Sequence, residues 1–152
     1  MNKYDVIIIG SGPVGLSLAK SLSNESFSVC VIDRQTKDDL ANPAYDGREV
    51  AITHFSKRIL KDIGSWDLID QRCISHLKEA KVINGHSPYS LHFNFEETNQ
   101  TTLGYLIPND RIKSAIFSSI NDDQMISFKE KASSKTFSIN SDGVEVKLES
   151  GE

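Results

Sequence analysis

The chain is poor in the residues that staple or anchor a protein. It has two cysteines, two methionines, one tryptophan and four prolines in 152 residues. Cys30 and Cys73 make no metal-ligand spacing and no disulfide framework, so a reducing, cytoplasmic setting is the expectation. Cys30 falls inside an apolar run and reads as a small buried group, and Cys73 lies near a helix end. No apolar run approaches the roughly 20 residues that span a bilayer. The opening Met-Asn-Lys-Tyr-Asp leads straight into a strand pattern that glycines interrupt, which is not the layout of a signal peptide. A basic excess is missing as well: 17 Lys and Arg stand against 21 Asp and Glu, for a net charge of −4. Nucleic acid is therefore not an expected partner. Repeats and low-complexity segments are absent. What remains, 38% hydrophobic and 25% charged residues, is the make-up of an ordinary globular domain.

The rest of the chain is organised around residues 4–33. Tyr4 to Ile9 is a short apolar run with three isoleucines, long enough for a buried strand and too short for a helix. Gly10-Ser11-Gly12-Pro13-Val14-Gly15 follows, a G-x-G-x-x-G. A helical pattern comes next, with Val14, Leu16, Leu18, Ala19 and Leu22 on a broad apolar face. Phe27 to Ile32 is a second strand pattern, and Asp33 closes it 23 residues beyond Gly10. Each part has a physical use. Gly10 turns the chain sharply out of the strand, Gly12 lets a pyrophosphate lie against bare backbone, and Gly15 lets helix and strand pack closely. Pro13 suits the first helical position, where no N–H is needed. The helix N-terminus offers unpaired N–H groups and the positive end of its dipole. A carboxylate at Asp33 matches the spacing for accepting hydrogen bonds from a ribose diol. Strand, turn, helix, strand and acid together point to an adenine dinucleotide.

Residues 34–47 break the pattern. Lys37-Asp38-Asp39 and Asn42-Pro43 read as an exposed loop, of a length that is often functional. Arg48 has two readings, a solvated surface arginine or a guanidinium lying along dinucleotide phosphates. Thr53 or Ser56 caps a helix with Phe55, Ile59, Leu60 and Ile63 on its apolar face, and Gly64 ends it. Trp66 to Ile69 forms a short helical turn. Lys78–Asn84 and Tyr89–Phe95 read as a hairpin joined at Gly85-His86-Ser87-Pro88. His76, His86 and His92 read as surface or structural, with only His92 inside a strand and no carboxylate partner evident. Thr102 to Ile107 is a further strand. Pro108-Asn109 opens a helix with Asn109 as N-cap and Ile112, Ala115, Ile116 and Ile120 on its apolar face. Met125–Phe128 is a short strand, and Lys135–Ile139 and Val144–Leu148 form a hairpin about Asn140-Ser141-Asp142-Gly143. An uninterrupted doubly wound domain would continue βαβα. The order here predicts a nucleotide-binding sheet with an inserted antiparallel section whose face covers a ligand.

The quoted residues resemble the N-terminal part of the class A FAD-dependent aromatic hydroxylases, and within them the ubiquinone-biosynthesis branch. The matching stretches are 4–15, Val31-Ile32-Asp33-Arg34, Asp46-Gly47-Arg48-Glu49-Val50-Ala51-Ile52, Ser56-Lys57-Arg58-Ile59-Leu60, Ile63-Gly64-Ser65-Trp66 and Leu103-Gly104-Tyr105-Leu106-Ile107-Pro108-Asn109. The resemblance implies FAD as the dinucleotide, with Gly10, Ser11, Gly12, Pro13, Val14 and Gly15 at the pyrophosphate. It implies Asp33 at the adenosine ribose, Arg34 flanking the adenosine end and Arg48 beside the FAD. It implies ring hydroxylation of a polyprenylated ubiquinone precursor, a phenol or quinone, with NAD(P)H as electron donor and O₂ as co-substrate. It also implies peripheral association with the inner membrane or with a biosynthetic complex, although the residues show no anchor. No acid–base residue and no metal ligand are nominated.

The fold class expected is α/β, a Rossmann-like FAD-binding βαβ core with an inserted antiparallel β section, incomplete at the C-terminus. Its parts are the βαβ unit of 3–33, a helical segment over 53–72, antiparallel strands of the substrate side over 76–107, and helix, strand and hairpin over 109–149. Members of the family are much longer, and their downstream Asp-Gly and Gly-Asp motifs are missing here. The chain therefore reads as an N-terminal piece that is not active alone. Two other functions share the glycine loop and the acid: an NAD-dependent dehydrogenase or reductase, and a non-catalytic dinucleotide-binding module. The former predicts continued βα alternation, and Asp33 would repel the 2′-phosphate of NADP.

Overall fold

The structure, a computed structural model, describes residues 2–141 and 143–151. In chain order the elements are β1 (Val6–Ile9), α1 (Pro13–Asn24), β2 (Val29–Ile32), α2 (Lys37–Ala41), β3 (Glu49–Ile52), α3 (His54–Asp62), β4 (Ser75–Leu77), β5 (Glu79–Ile83), β6 (Ser90–Asn94), β7 (Gly104–Pro108), α4 (Asn109–Ile120), β8 (Ile126–Lys129), β9 (Ser134–Asn140) and β10 (Gly143–Leu148). Strands β1, β2 and β8 form a parallel sheet in the order β1-β2-β8. Strands β3, β7 and β4 form an antiparallel sheet with β7 in the middle. Two antiparallel ribbons, β5 with β6 and β9 with β10, complete the strands among the described residues. This is the α/β class expected, with an antiparallel section set between β2 and β8. Asp142, expected in the last hairpin turn, lies outside the described residues.

The parallel sheet is covered on both faces. Ile8, Val29 and Val31 pack into a core with Leu16 and Ala19 of α1 and with Ile112, Ala115, Ile116 and Ile120 of α4. The same core runs on without a break to Ile52, Tyr105 and Ile107 of the antiparallel sheet and to Leu60, Ile63 and Trp66. Cys30 and Ile32 face the other way, against Leu148 and Val146 of the last ribbon. Helix α4 is thus the shared wall of two sheets, as its spacing of apolar residues dictates.

Several expectations are corrected. Residues 34–47 contain helix α2, because Thr36 and Asp39 close a reciprocal capping box and Leu40 is buried beneath it. Val14 and Leu18 lie outside the core, 83% and 48% exposed. They sit on the side of α1 opposite Leu16, Ala19 and Ser23, which alone are fully buried. Ile7 and Ile9 are exposed too, since β1 is at the edge of its sheet. His76 lies in β4, and His92 has a carboxylate after all: Glu79, its diagonal neighbour across the ribbon, is 3.6 Å away. Asn109 is the first residue of α4 and Pro108 its cap, so the amide is left for another partner. Thr53 accepts from the N–H of Ser56 as the cap of α3. Among the described residues no helix is long and apolar enough to cross a membrane.

Of the glycines, Gly15 sits in the tightest approach. A Cβ there would meet the carbonyl oxygen of Gly10 at 2.1 Å and Ile8 Cγ2 at 3.3 Å. At Gly12 it would meet nothing within 4 Å. Gly15→Ala is therefore expected to lower stability by about 3 kcal/mol, the upper part of the usual overpacking range. Gly12→Ala is expected to cost no more than about 1 kcal/mol, the preference of a cap position for glycine over alanine. Urea unfolding of the two variants checks this, and equal losses would contradict the close-approach account.

Candidate functional site

The end of β1 is tied to the end of β2 by hydrogen bonds. Gly10, turned to φ +104°, donates its N–H to the Ile32 carbonyl at 2.9 Å. The next N–H, of Ser11, donates to Asp33 Oδ2 at 2.6 Å, and the N–H of Gln35 donates to Asp33 Oδ1 at 2.8 Å. Asp33 is itself fixed by the neighbouring strand region: its N–H reaches the Lys129 carbonyl, and the Ala132 N–H reaches its carbonyl. Burial pushes the Asp33 carboxyl up, but the hydrogen bonds from Gln35, Ser11 and Arg34 outweigh it and hold the group below its ordinary value. Asp33 is thus an anion, with the Ser11 N–H on Oδ2 and the Gln35 N–H on Oδ1. Each oxygen keeps acceptor capacity for a hydroxyl.

The mouth of α1 is open. Gly12 caps it with extended backbone and no side-chain hydrogen bond, and Pro13 follows at the first position. The first helical bond runs from Leu16 N–H to Gly12 carbonyl. The N–H groups of Val14 and Gly15 have no partner among the described residues. The Ser11 hydroxyl is buried with no bond of full geometry, near enough to the Asp33 carboxylate only to help lower its pKa. A run of unpaired N–H groups at a helix N-terminus is what a bound anion would satisfy. Beside them a cleft of about 390 Å³ is lined by Gly10, Asp33, Arg34, Ser133, Ser134 and Glu149. It lies at the carboxyl ends of β1 and β2, where open α/β sheets bind ligands.

Arg48 stands apart from this cluster. Its Nη2 and Nε donate to Asp46 Oδ2 at 2.6 and 2.9 Å, and its N–H donates to Oδ1 at 3.0 Å. Asn109 Nδ2 donates to the same Oδ2 at 2.8 Å. Hydrogen bonds from Arg48 and Asn109 hold the Asp46 carboxyl far below the carboxylate range, and Asp46 pushes the Arg48 guanidinium up. The two halves meet on α4. Asn109 holds Asp46, and one turn later Lys113 Nζ reaches Gln35 Oε1 at 3.3 Å. Gln35 is the residue whose N–H rests on Asp33.

The structure therefore brings the glycine loop and Asp33 into direct contact, sets Arg34 on the same cleft, and connects Arg48 to them through one helix. Sequence reasoning missed Gln35, Asp46, Lys113, Ser133, Ser134 and Glu149, and took Asn109 for a cap. The pairing of Glu49 with Pro108 places Asn109 beside Arg48, and no local pattern carries that register.

A family model described as an FAD binding domain matches residues 3–152. The chain is 37% identical over 151 residues to ubiquinone hydroxylase UbiM of Neisseria meningitidis, covering 97% of this chain and 33% of that protein. It is 38% identical over 112 residues to ubiquinone hydroxylase UbiL of Rhodospirillum rubrum, covering 74% of this chain and 26% of that one. The chain thus spans a third or less of the length of these curated relatives. Among solved structures, pqsL, a probable FAD-dependent monooxygenase from Pseudomonas aeruginosa, superposes with a TM-score of 0.72 at 17% identity. That match covers 99% of this chain and 40% of that one and shows a shared fold.

Because the folded protein holds Asp33 below its ordinary pKa, its hydrogen bonds stabilise fully above the unfolded value of about 3.9. They are lost as pH falls through the lower folded value. The stability difference between the native protein and Asp33→Asn is expected to shrink as pH drops from 7 to below about 4. The other acids are common to both proteins and cancel. Urea unfolding over a pH series measures it, and a difference that widens in acid would contradict the assignment.

Proposed function

The chain belongs to the FAD binding domain family, and from that premise we propose that Gly10, Ser11, Gly12, Pro13, Val14 and Gly15 hold the pyrophosphate of FAD. Asp33 holds the adenosine ribose, Arg34 flanks the adenosine end, and Arg48 lies along the phosphates. One observation carries the reading: Asp33 braces the glycine loop through Ser11 while the loop's outer side, at Gly12, is open. The unpaired N–H groups at the open mouth of α1 fit the group. The residues 76–107 contribute strands of the substrate side, beyond the dinucleotide-holding unit of 3–33.

The activity proposed is FAD-dependent monooxygenation of the aromatic ring of a polyprenylated ubiquinone precursor, supported by the two ubiquinone hydroxylases that resemble the chain. FAD, when bound, supplies the redox chemistry with NAD(P)H as donor and O₂ as co-substrate; the chain's residues bind it, orient it and exclude water. Peripheral association with a membrane or a biosynthetic complex belongs to the same proposal, because the substrate tail is a bilayer lipid. A nicotinamide dehydrogenase is disfavoured by the antiparallel sheet β3-β7-β4, which stands where βα alternation would continue.

In flavin-fluorescence titrations of the protein expressed from its complete reading frame, Gly12→Val is expected to abolish FAD binding. Asp33→Ala is expected to weaken it by about 1–3 kcal/mol, the cost of losing a charged hydrogen-bond partner. Unchanged affinity in Gly12→Val would overturn the pose. The 152-residue chain by itself is expected to bind FAD weakly and to form no hydroxylated product, because hydroxylation needs a closed, dry flavin site. Substrate-dependent product from the purified chain, followed by mass spectrometry, would refute that.

A further inference from the structure

Among the described residues, every polar contact of the Arg48 guanidinium is made to one carboxylate, and that carboxylate is held from a second direction. Asp46 Oδ2 receives Arg48 Nη2, Arg48 Nε and Asn109 Nδ2 at 2.6, 2.9 and 2.8 Å. Asn109 is only 7% exposed, and its own N–H donates to the Arg48 carbonyl at 2.9 Å. The Arg48 side chain, by contrast, is 71% exposed. An arginine that merely decorates a surface needs no buried amide to brace its counter-ion.

An arginine has five N–H donors in a planar fork. Asp46 takes two of them, and three stay available on the exposed side. A fork already fixed loses little freedom when it meets an oxyanion. Asp46 also cancels charge, so it can act in the opposite sense, as a competitor that keeps Arg48 from an anion. The two roles differ in sign. Asn109 favours the first: it pins Asp46 in place, and it stands on the same helix face as Lys113, which reaches the loop around Asp33.

We propose that Asn109 and Asp46 form a clamp that fixes Arg48 with its free N–H groups presented to the phosphates of the dinucleotide, making Asn109 a positioning residue of the cofactor site. The inference rests on the reading that Arg48 lies along the FAD phosphates. The clamp explains why a side chain at the start of α4, far along the chain from the glycine loop, is buried against the strand that follows Arg48. It also separates affinity from net charge, since the pair Asp46–Arg48 carries none.

The test is FAD affinity by flavin-fluorescence titration of the protein from its complete reading frame, with thermal unfolding of each apo form alongside. Asn109→Ala is expected to weaken FAD binding about tenfold, the equivalent of one charged hydrogen bond. Asn109→Asp is expected to weaken it at least as much by repelling Asp46. An acid in the first turn stabilises a helix, so a purely structural role predicts no loss in Asn109→Asp. In an Arg48→Ala background the Asn109→Ala effect is expected to vanish. Normal affinity in both Asn109 variants, with Arg48→Ala weakened, overturns the clamp and leaves the dinucleotide reading standing. Normal affinity in Arg48→Ala removes the reading that Arg48 lies along the phosphates, and the clamp with it. An Asn109→Ala loss that persists in full without Arg48 overturns the clamp as well. If Asn109→Ala does not fold, Asp46→Asn decides: weaker binding supports the clamp and tighter binding establishes competition.

Discussion

The bond from the Ser11 N–H to the Asp33 carboxylate sets the geometry of the site. It joins the turn after β1 to the end of β2 at 2.6 Å, and it makes the loop's shape depend on the acid. Two neighbouring strands share a register, so their ends are level, but level ends do not by themselves orient a loop. The carboxylate does that, and it does so while ionised, because the backbone N–H groups around it favour the charged form. Gly15 adds the second constraint. With no Cβ, α1 can sit against the Gly10 carbonyl, and its N-terminus opens where the loop opens.

Helix α4 carries that arrangement to the other sheet. Its apolar face fills the core beneath β1 and β2, and its first turn meets the strand pair β3–β7. The consequence is mechanical. Asn109 and Lys113 stand one turn apart and touch the Arg48 side and the Asp33 side of the site respectively. A helix with a filled core beneath it is rigid, so it holds the two contacts at a fixed separation.

How legible the site was depended on how local each signal is. The loop, its helix and Asp33 all lie within one supersecondary unit, where glycine spacing and strand pattern are sufficient. The two readings of Arg48 could not be separated in that way, because its surroundings are set by a partner strand more than fifty residues further on. Asn109 shows the same limit from the other end. An asparagine after proline at a helix start has a local explanation as a cap, and the local explanation is wrong because the helix begins at Asn109 itself, with Pro108 as its cap, and the side-chain amide turns to Asp46. The helix at Lys37–Ala41 is a different kind of miss. Thr36 and Asp39 announce it locally, but three charged residues and a following Asn-Pro read as loop. Ile7, Ile9, Val14 and Leu18 show that period alone marks which residues are apolar, while sheet order and helix docking decide which of them are buried.

The net charge of −4 bears on how such a protein holds an anionic dinucleotide. A basic field would announce itself in composition, and none is present. Charges more than about 8 Å apart at physiological salt are largely screened, so the acids elsewhere on the surface weigh little at the glycine loop. What matters there is the local inventory: unpaired N–H groups at α1, the positive end of its dipole, and an arginine whose charge is already matched by Asp46. Asp33, an anion placed next to this mouth, would be a poor choice if attraction to phosphate were the aim. It is a sound choice if the aim is to fix the loop and accept hydroxyls from a sugar. On the proposed reading, recognition rests on the placement of dipoles and hydrogen-bond partners, and a substitution that leaves every charge intact but shifts the loop is the more damaging kind.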